Sequence, residues 1–231
     1  MKISNRGLME IASYEGLCLK PYYDSVGVIT IGFGSTVSEI PDIGRWDKNA
    51  SITVDMAILL FKKSMAKYEK AVNDSIRVNI SQAQYDALVS FCYNVGTSGL
   101  KRSTLVKRIN MGLKGNAIYQ AFLMWDIPKE IIGRRTKEAN LFVNGKYTNN
   151  GYCTRFETDG KGHMMRVPKY RFDLKPYFNN LPSDPVEDPS PSRIPAPDKP
   201  LPEQQQLPDP LSKTSWLQKL VEWIVSFLRR K

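Results

Sequence analysis

Ten of the fifteen prolines in this 231-residue chain fall between Leu181 and Pro210. Proline has no amide hydrogen and a fixed φ, so a run this dense excludes helix interiors and central strands. The same stretch carries Ser, Asp, Glu and the run Gln204-Gln205-Gln206, with few apolar side chains to offset the entropy of ordering it. Residues 179–211 therefore read as an extended linker. A packed core has to lie in residues 1–178, a length that suits one domain. After the linker the chain turns apolar again, over residues 212–231.

Within residues 1–178 the periodicity changes once. Leu8, Ile11 and Ala12 recur at helical spacing between Ser4, a capping residue, and Gly16, a stop. Tyr22 to Gly34 is rich in β-branched and aromatic residues and is broken by Asp24-Ser25-Val26-Gly27, the pattern of a short hairpin. From Thr53 onward helical spacing dominates. Ile58, Leu59, Phe61, Met65 and Tyr68 predict one helix, and Ala87, Leu88, Phe91 and Val95 after Ser81 predict a second. Shorter helices are predicted over Ser103–Met111, Gly115–Trp125 and Arg134–Phe142. The fold class expected is α+β, a small N-terminal β-hairpin region followed by a larger helical lobe. In residues 143–178 alternating Tyr and Phe predict an extra hairpin packed on that lobe, although its interleaved basic residues would also suit contact with glycan or nucleic acid.

Several function classes are excluded or left open by composition. No run of about 18 apolar residues is present, so no transmembrane helix is expected, and Met1–Arg6 has no apolar segment behind its charges, so no signal peptide is expected. The protein is then made and held in a cytoplasm until something releases it. Lys and Arg outnumber Asp and Glu by 33 to 23, a formal charge of +10. That excess steers toward polyanions such as nucleic acid, anionic lipid or a bacterial envelope, without choosing among them. Cys18, Cys92 and Cys153 are odd in number and far apart, so neither a structural zinc nor any other metal or cofactor is expected. His163, the single histidine, sits in a Gly-flanked loop, which argues against Ser-His or Cys-His catalysis.

One constellation carries chemistry. Glu15 lies where the first helix ends, Asp24 follows nine residues on and Thr30 fifteen, and a helix end facing a hairpin brings the three together. Glycosidic cleavage needs an acid to protonate the leaving oxygen and a second carboxylate to activate water or stabilise positive charge. A hydroxyl beside that carboxylate holds the water. The acid must be protonated when it acts, which calls for apolar surroundings such as Tyr14 and Leu17. By residue type alone, a Glu and an Asp at this spacing describe a surface pair equally well.

Context decides between the two. Glu15-Gly16, Tyr22-Tyr23-Asp24 and Gly27-Val28-Ile29-Thr30-Ile31-Gly32-Phe33-Gly34 closely resemble the active-site signature of the phage lysozyme (endolysin) family of glycoside hydrolases. The likeness continues through Gln84–Gly96, Ser103-Thr104-Leu105, Arg108-Ile109-Asn110, the Trp125 region and Gly133-Arg134-Arg135 to Phe142. The resemblance implies a lysozyme-like fold with Glu15 as general acid, Asp24 as second carboxylate and Thr30 as the water-holding hydroxyl. It also implies hydrolysis, with inversion, of the β-1,4 bond between N-acetylmuramic acid and N-acetylglucosamine in peptidoglycan. Thr36, Tyr93, Asn94 and Thr104 fall at or near positions that line the family's saccharide cleft, although packing explains each as well. An arginine paired with Glu15 is implied too, and Arg134 and Arg135 both qualify. Residues 143–178 have no counterpart in the pattern.

The terminal segment adds a partner. On a helical wheel Trp216, Leu217, Leu220, Val221, Ile224, Phe227 and Leu228 share one face, and the chain ends Arg229-Arg230-Lys231. A cationic amphipathic helix over 212–231, too short to span a bilayer, suits adsorption to anionic membrane or lipopolysaccharide; packing back onto the domain is the rival reading. The expectation is a monomeric endolysin without nucleic-acid partners, reaching periplasmic peptidoglycan through a membrane hole at host lysis. The alternatives are a secreted antibacterial muramidase effector and a non-catalytic envelope or membrane-active protein on a lysozyme scaffold.

Overall fold

A computed structural model describes residues 1–24, 27–36, 50–159 and 161–178, with backbone only at 166–169. The linker 179–211 and the helix expected over 212–231 lie outside the described residues.

Helix α1 (Asn5–Glu15) begins at Ser4, whose hydroxyl accepts from the Gly7 amide at 3.0 Å, and stops at Gly16, where φ is 75°. Strands β1 (Leu17–Tyr23), β2 (Ile29–Gly32) and β3 (Ser35–Thr36) form the expected hairpin with a short third strand. Helix α2 (Val54–Ser75) follows a Thr53 cap, and α3 (Gln82–Arg102) follows a Ser81/Gln84 capping box. Then come α4 (Thr104–Asn110), α5 (Asn116–Leu123) and α6 (Ile132–Asn144). All five fall close to the helices read from the sequence. Residues Tyr85 to Cys92 of α3 are buried on every side, so this helix has no solvent-facing side at its centre. α1, α2 and α6 pack around it, and Phe91 makes edge-on contacts with Phe122 and Trp125 at 5.5 and 5.6 Å between centroids.

Residues 143–178 do form an extra hairpin, β4 (Tyr152–Thr158) and β5 (Met164–Asp173), closed by the short helix α7 (Lys175–Phe178). Its main attachment differs from the expected one on the helical lobe. β4 pairs in parallel with β1 and joins the N-terminal strands in one five-stranded sheet of order β3-β2-β1-β4-β5. Parallel neighbours require a long crossover, and here the whole of α2 to α6 supplies it. No sequence pattern local to β4 could reveal a partner more than a hundred residues away.

The loop that launches the hairpin is tied to α1. The buried Glu10 carboxylate accepts from the Asn149 amide at 2.8 Å, from the Thr148 amide and hydroxyl, and from the Tyr14 hydroxyl at 2.9 Å. Asn149 in turn donates to the Met9 carbonyl at 2.7 Å. Four donors on one buried carboxylate satisfy the loop amides that strand pairing leaves open.

At the hairpin tip Asp159 accepts from the Lys161 and His163 amides, each at 2.8 Å, and pairs with the His163 ring at 3.0 Å. The His163 amide first, and then its ring, hold the Asp159 carboxyl down at about 2. A depressed carboxyl supports the fold above its ordinary value near 3.9 and loses that support as pH falls through the lowered one. An NMR titration of the Asp159 side chain is therefore expected to give a midpoint near 2, with the His163 amide resonance moving in step.

Candidate active site

Glu15 is the last residue of α1, and the turn at Gly16 frees its side chain from the helix. Its Oε1 lies 2.5 Å from Nη1 of Arg134, a residue in the first turn of α6. The arginine side chain is 7% exposed and the glutamate 23%, so the arginine is sealed and the glutamate is partly open to solvent. Arg134 is held from three other directions. Its Nε donates to Glu138 Oε1 at 2.9 Å, its Nη2 to the Ser90 carbonyl at 3.2 Å, and the Tyr14 ring lies 4.8 Å from its guanidinium carbon. Burial opposes the arginine's charge, but Glu15 and Glu138 outweigh it and hold the guanidinium above its ordinary range.

This settles which arginine meets Glu15. Arg135 points the other way, over the Phe91 ring at 4.9 Å, donating to the Trp125 carbonyl at 3.2 Å and to Asn94 Oδ1. Both arginines share Glu138, which also accepts from the Ser90 hydroxyl at 2.7 Å. Glu138 and Ser90 both lie in stretches that resemble the family, but neither is assigned a role from sequence. The signal for Glu138 was its place, four residues after Arg134 and three after Arg135, one helical turn from each.

Asp24 and Thr30 converge on one backbone unit. Asp24 Oδ1 accepts from the Val28 amide at 2.8 Å, and the Thr30 hydroxyl donates to the Val28 carbonyl at 3.2 Å. A second bond, from the Asp24 amide to that carbonyl at 3.0 Å, closes the turn. Thr30 is buried and Asp24 half-buried. On β1, between Glu15 and Asp24 in sequence, the Tyr22 phenol has its pKa pushed up by burial first, then by Cys18, Glu15 and Asp24.

The other four residues are placed as follows. Thr36 stands directly across from Thr30 in the β2–β3 pairing. Tyr93 donates to the Phe33 carbonyl at 2.7 Å and packs on Phe61 and Tyr68, tying α3 to the β2–β3 turn. Asn94 is exposed, with its side-chain oxygen turned to Arg135. Thr104 opens α4, half-buried, and among the described residues no hydrogen bond joins it to the others.

Cys18, Cys92 and Cys153 are free thiols in the core. Burial pushes Cys92 and Cys153 up to about 12, which removes them from nucleophilic chemistry near neutral pH. His163 is bound into the hairpin tip. The chemistry these side chains can perform is carboxyl chemistry: proton transfer by one carboxyl and activation or orientation of water by the other, the equipment of a glycoside hydrolase.

Comparison with known proteins agrees with that class. The phage lysozyme family model matches residues 12–138, more than half of the chain. The chain belongs to the phage lysozyme family. The endolysin of Salmonella phage P22 is 34% identical over 153 residues, which cover 62% of this chain and 99% of that protein. A SAR-endolysin of bacteriophage PS119 is 32% identical over 139 residues, covering 57% and 78% of the two chains. Among solved structures, the endolysin from Escherichia coli O157:H7 phage FAHEc1 superposes with a TM-score of 0.59 at 32% identity, over 64% of this chain and 98% of its own.

Proposed function

We propose that the protein is an endolysin that hydrolyses the β-1,4 bond between N-acetylmuramic acid and N-acetylglucosamine in bacterial peptidoglycan. The observation that carries this reading is the partly exposed Glu15 carboxyl, bound to the sealed Arg134, with the Asp24–Val28–Thr30 unit on the hairpin that directly follows it in the chain. Family membership and relatives named endolysin support it.

In the mechanism proposed, Glu15 protonates the glycosidic oxygen as its bond to the muramyl C1 breaks. A water held by Asp24 and Thr30 attacks C1 from the opposite face and gives its proton to Asp24, so the anomeric configuration inverts. Arg134 acts through Glu15 by fixing where that carboxyl points. Thr36, Tyr93, Asn94 and Thr104 are proposed to line the saccharide path. Mass spectrometry of peptidoglycan digests tests the reaction type. New reducing muramyl ends are expected, and anhydromuramyl ends would overturn water as the nucleophile.

Release through a membrane hole into the periplasm is proposed as the route to substrate. No helix among the described residues is long and apolar enough to cross a membrane. The cationic, apolar residues 212–231 are proposed to hold the enzyme at the anionic envelope. Removing residues after Leu181 is expected to abolish binding to anionic liposomes while cleavage of purified peptidoglycan persists. Undiminished liposome binding would exclude that role for the tail.

A further inference from the structure

The β4–β5 hairpin lies beyond the stretch matched by the family model, which ends at residue 138. It touches β1 near both ends, two residues after Glu15 and one residue before Asp24. At the first, Leu17 and Cys18 pair with Arg155 and Phe156, directly after Glu15-Gly16. A Cβ added to Gly16 would stand 2.5 Å from Cε2 of Phe156 and 3.1 Å from the Thr154 carbonyl, so the Phe156 ring is seated on the turn that follows Glu15. At the second, the Tyr23 amide donates to the Gly162 carbonyl at 2.9 Å, directly before Asp24. Gly162 has φ of 85° and presses against the Tyr23 ring, which a Cβ would meet at 3.3 Å.

Between these two points β1 is irregular. Its pairing with β2 runs from Cys18↔Gly32 to Tyr22↔Thr30, four residues against two, so the β2 ladder alone does not set the length of that span. The hairpin runs along the other edge of β1 and bridges it end to end. Its tip is braced by Asp159, which binds the Lys161 and His163 amides and, through its own carbonyl, the Gly162 amide at 3.2 Å.

We propose that this hairpin is a positioning element for the catalytic pair: Phe156 and Gly162 fix the separation and aim of Glu15 and Asp24 without touching substrate. The inference rests on the acid and base roles proposed above. Misplacing reacting groups by about 1 Å costs on the order of 100-fold in rate, so loss of either contact should appear in kcat.

The test uses the full chain acting on purified soluble peptidoglycan fragments. Phe156→Ala and Gly162→Val are each expected to lower kcat by about tenfold or more, with KM within twofold. Hydrogen exchange at the Tyr23 amide should accelerate in Gly162→Val, and Phe156→Leu, which restores bulk against Gly16, should recover most of the rate. If Phe156→Ala unfolds, Gly162→Val at the hairpin tip carries the test. A wild-type kcat in a folded Gly162→Val with an unprotected Tyr23 amide overturns the proposal. So does a rise in KM at constant kcat, which would make the hairpin a substrate contact. Glu15→Gln and Asp24→Asn run alongside separate the two failures. Activity surviving in those variants sinks the site assignment, whereas activity lost there and kept in the hairpin variants sinks only the positioning role.

Discussion

Glu15→Gln is expected to lower turnover on peptidoglycan by about 100- to 10,000-fold, the range lost when a positioned general acid is removed. Glutamine has the same shape and can still accept from Arg134, but it has no proton of suitable acidity for a leaving oxygen. The fold should tolerate the change. Arg134 keeps its bonds to Glu138 and to the Ser90 carbonyl, and the lost carboxylate is the partly exposed member of the pair. Thermal unfolding should therefore move by only a few degrees while activity collapses. Clearing of a peptidoglycan suspension gives the rate, and mass spectrometry counts new reducing ends in the same digest. Activity within tenfold of wild type would remove Glu15 from the acid role.

The contrast between Glu15 and Arg134 shows how far sequence could go. The position of Glu15 at a helix end before a hairpin was legible because its determinants are local: the helix stop at Gly16 and the hairpin motif through Gly34 place it within twenty residues of Asp24 and Thr30. Helices α2 to α6 were legible for the same reason, since caps such as Thr53 and Ser81 and helical spacing are read within one turn. Arg134 against Arg135 was not legible. Adjacent residues differ by about 100° around a helix, and the face that meets Glu15 depends on how α6 rolls against α3, a tertiary matter. Tyr93 and Asn94 show the same limit. Residue type gives no sign of the partners they take, the Phe33 carbonyl for Tyr93 and Arg135 for Asn94, which only the packing of α3 against the β2–β3 turn and α6 decides. The parallel pairing of β4 with β1 lay furthest out of reach, because a two-residue alternation says that a strand exists and nothing about which distant edge it joins.

Glu138→Ala is expected to cost about 3–5 kcal/mol, the usual loss when one member of a buried ion pair is removed. Its carboxylate is 1% exposed and is the shared counter-charge of two arginines that are 7% and 1% exposed. Without it Arg135 keeps hydrogen bonds to the Trp125 carbonyl and Asn94, and Arg134 keeps those to Glu15 and the Ser90 carbonyl. For a chain of this length each kcal/mol lowers Tm by about 2–4 °C, so the midpoint should fall by about 6–20 °C. Two further variants separate charge from packing. Glu138→Gln keeps the shape and one acceptor and should recover part of the loss. Adding Arg135→Met to Glu138→Ala removes one stranded charge and should recover more, because an unpaired buried cation is the dominant penalty. Denaturant unfolding of the four proteins gives the values, and a loss below about 1 kcal/mol in Glu138→Ala would mean that water reaches the arginines. In the same variants the rate should fall by more than stability predicts, since the carboxylate that balances the two arginines also holds the guanidinium that aims Glu15.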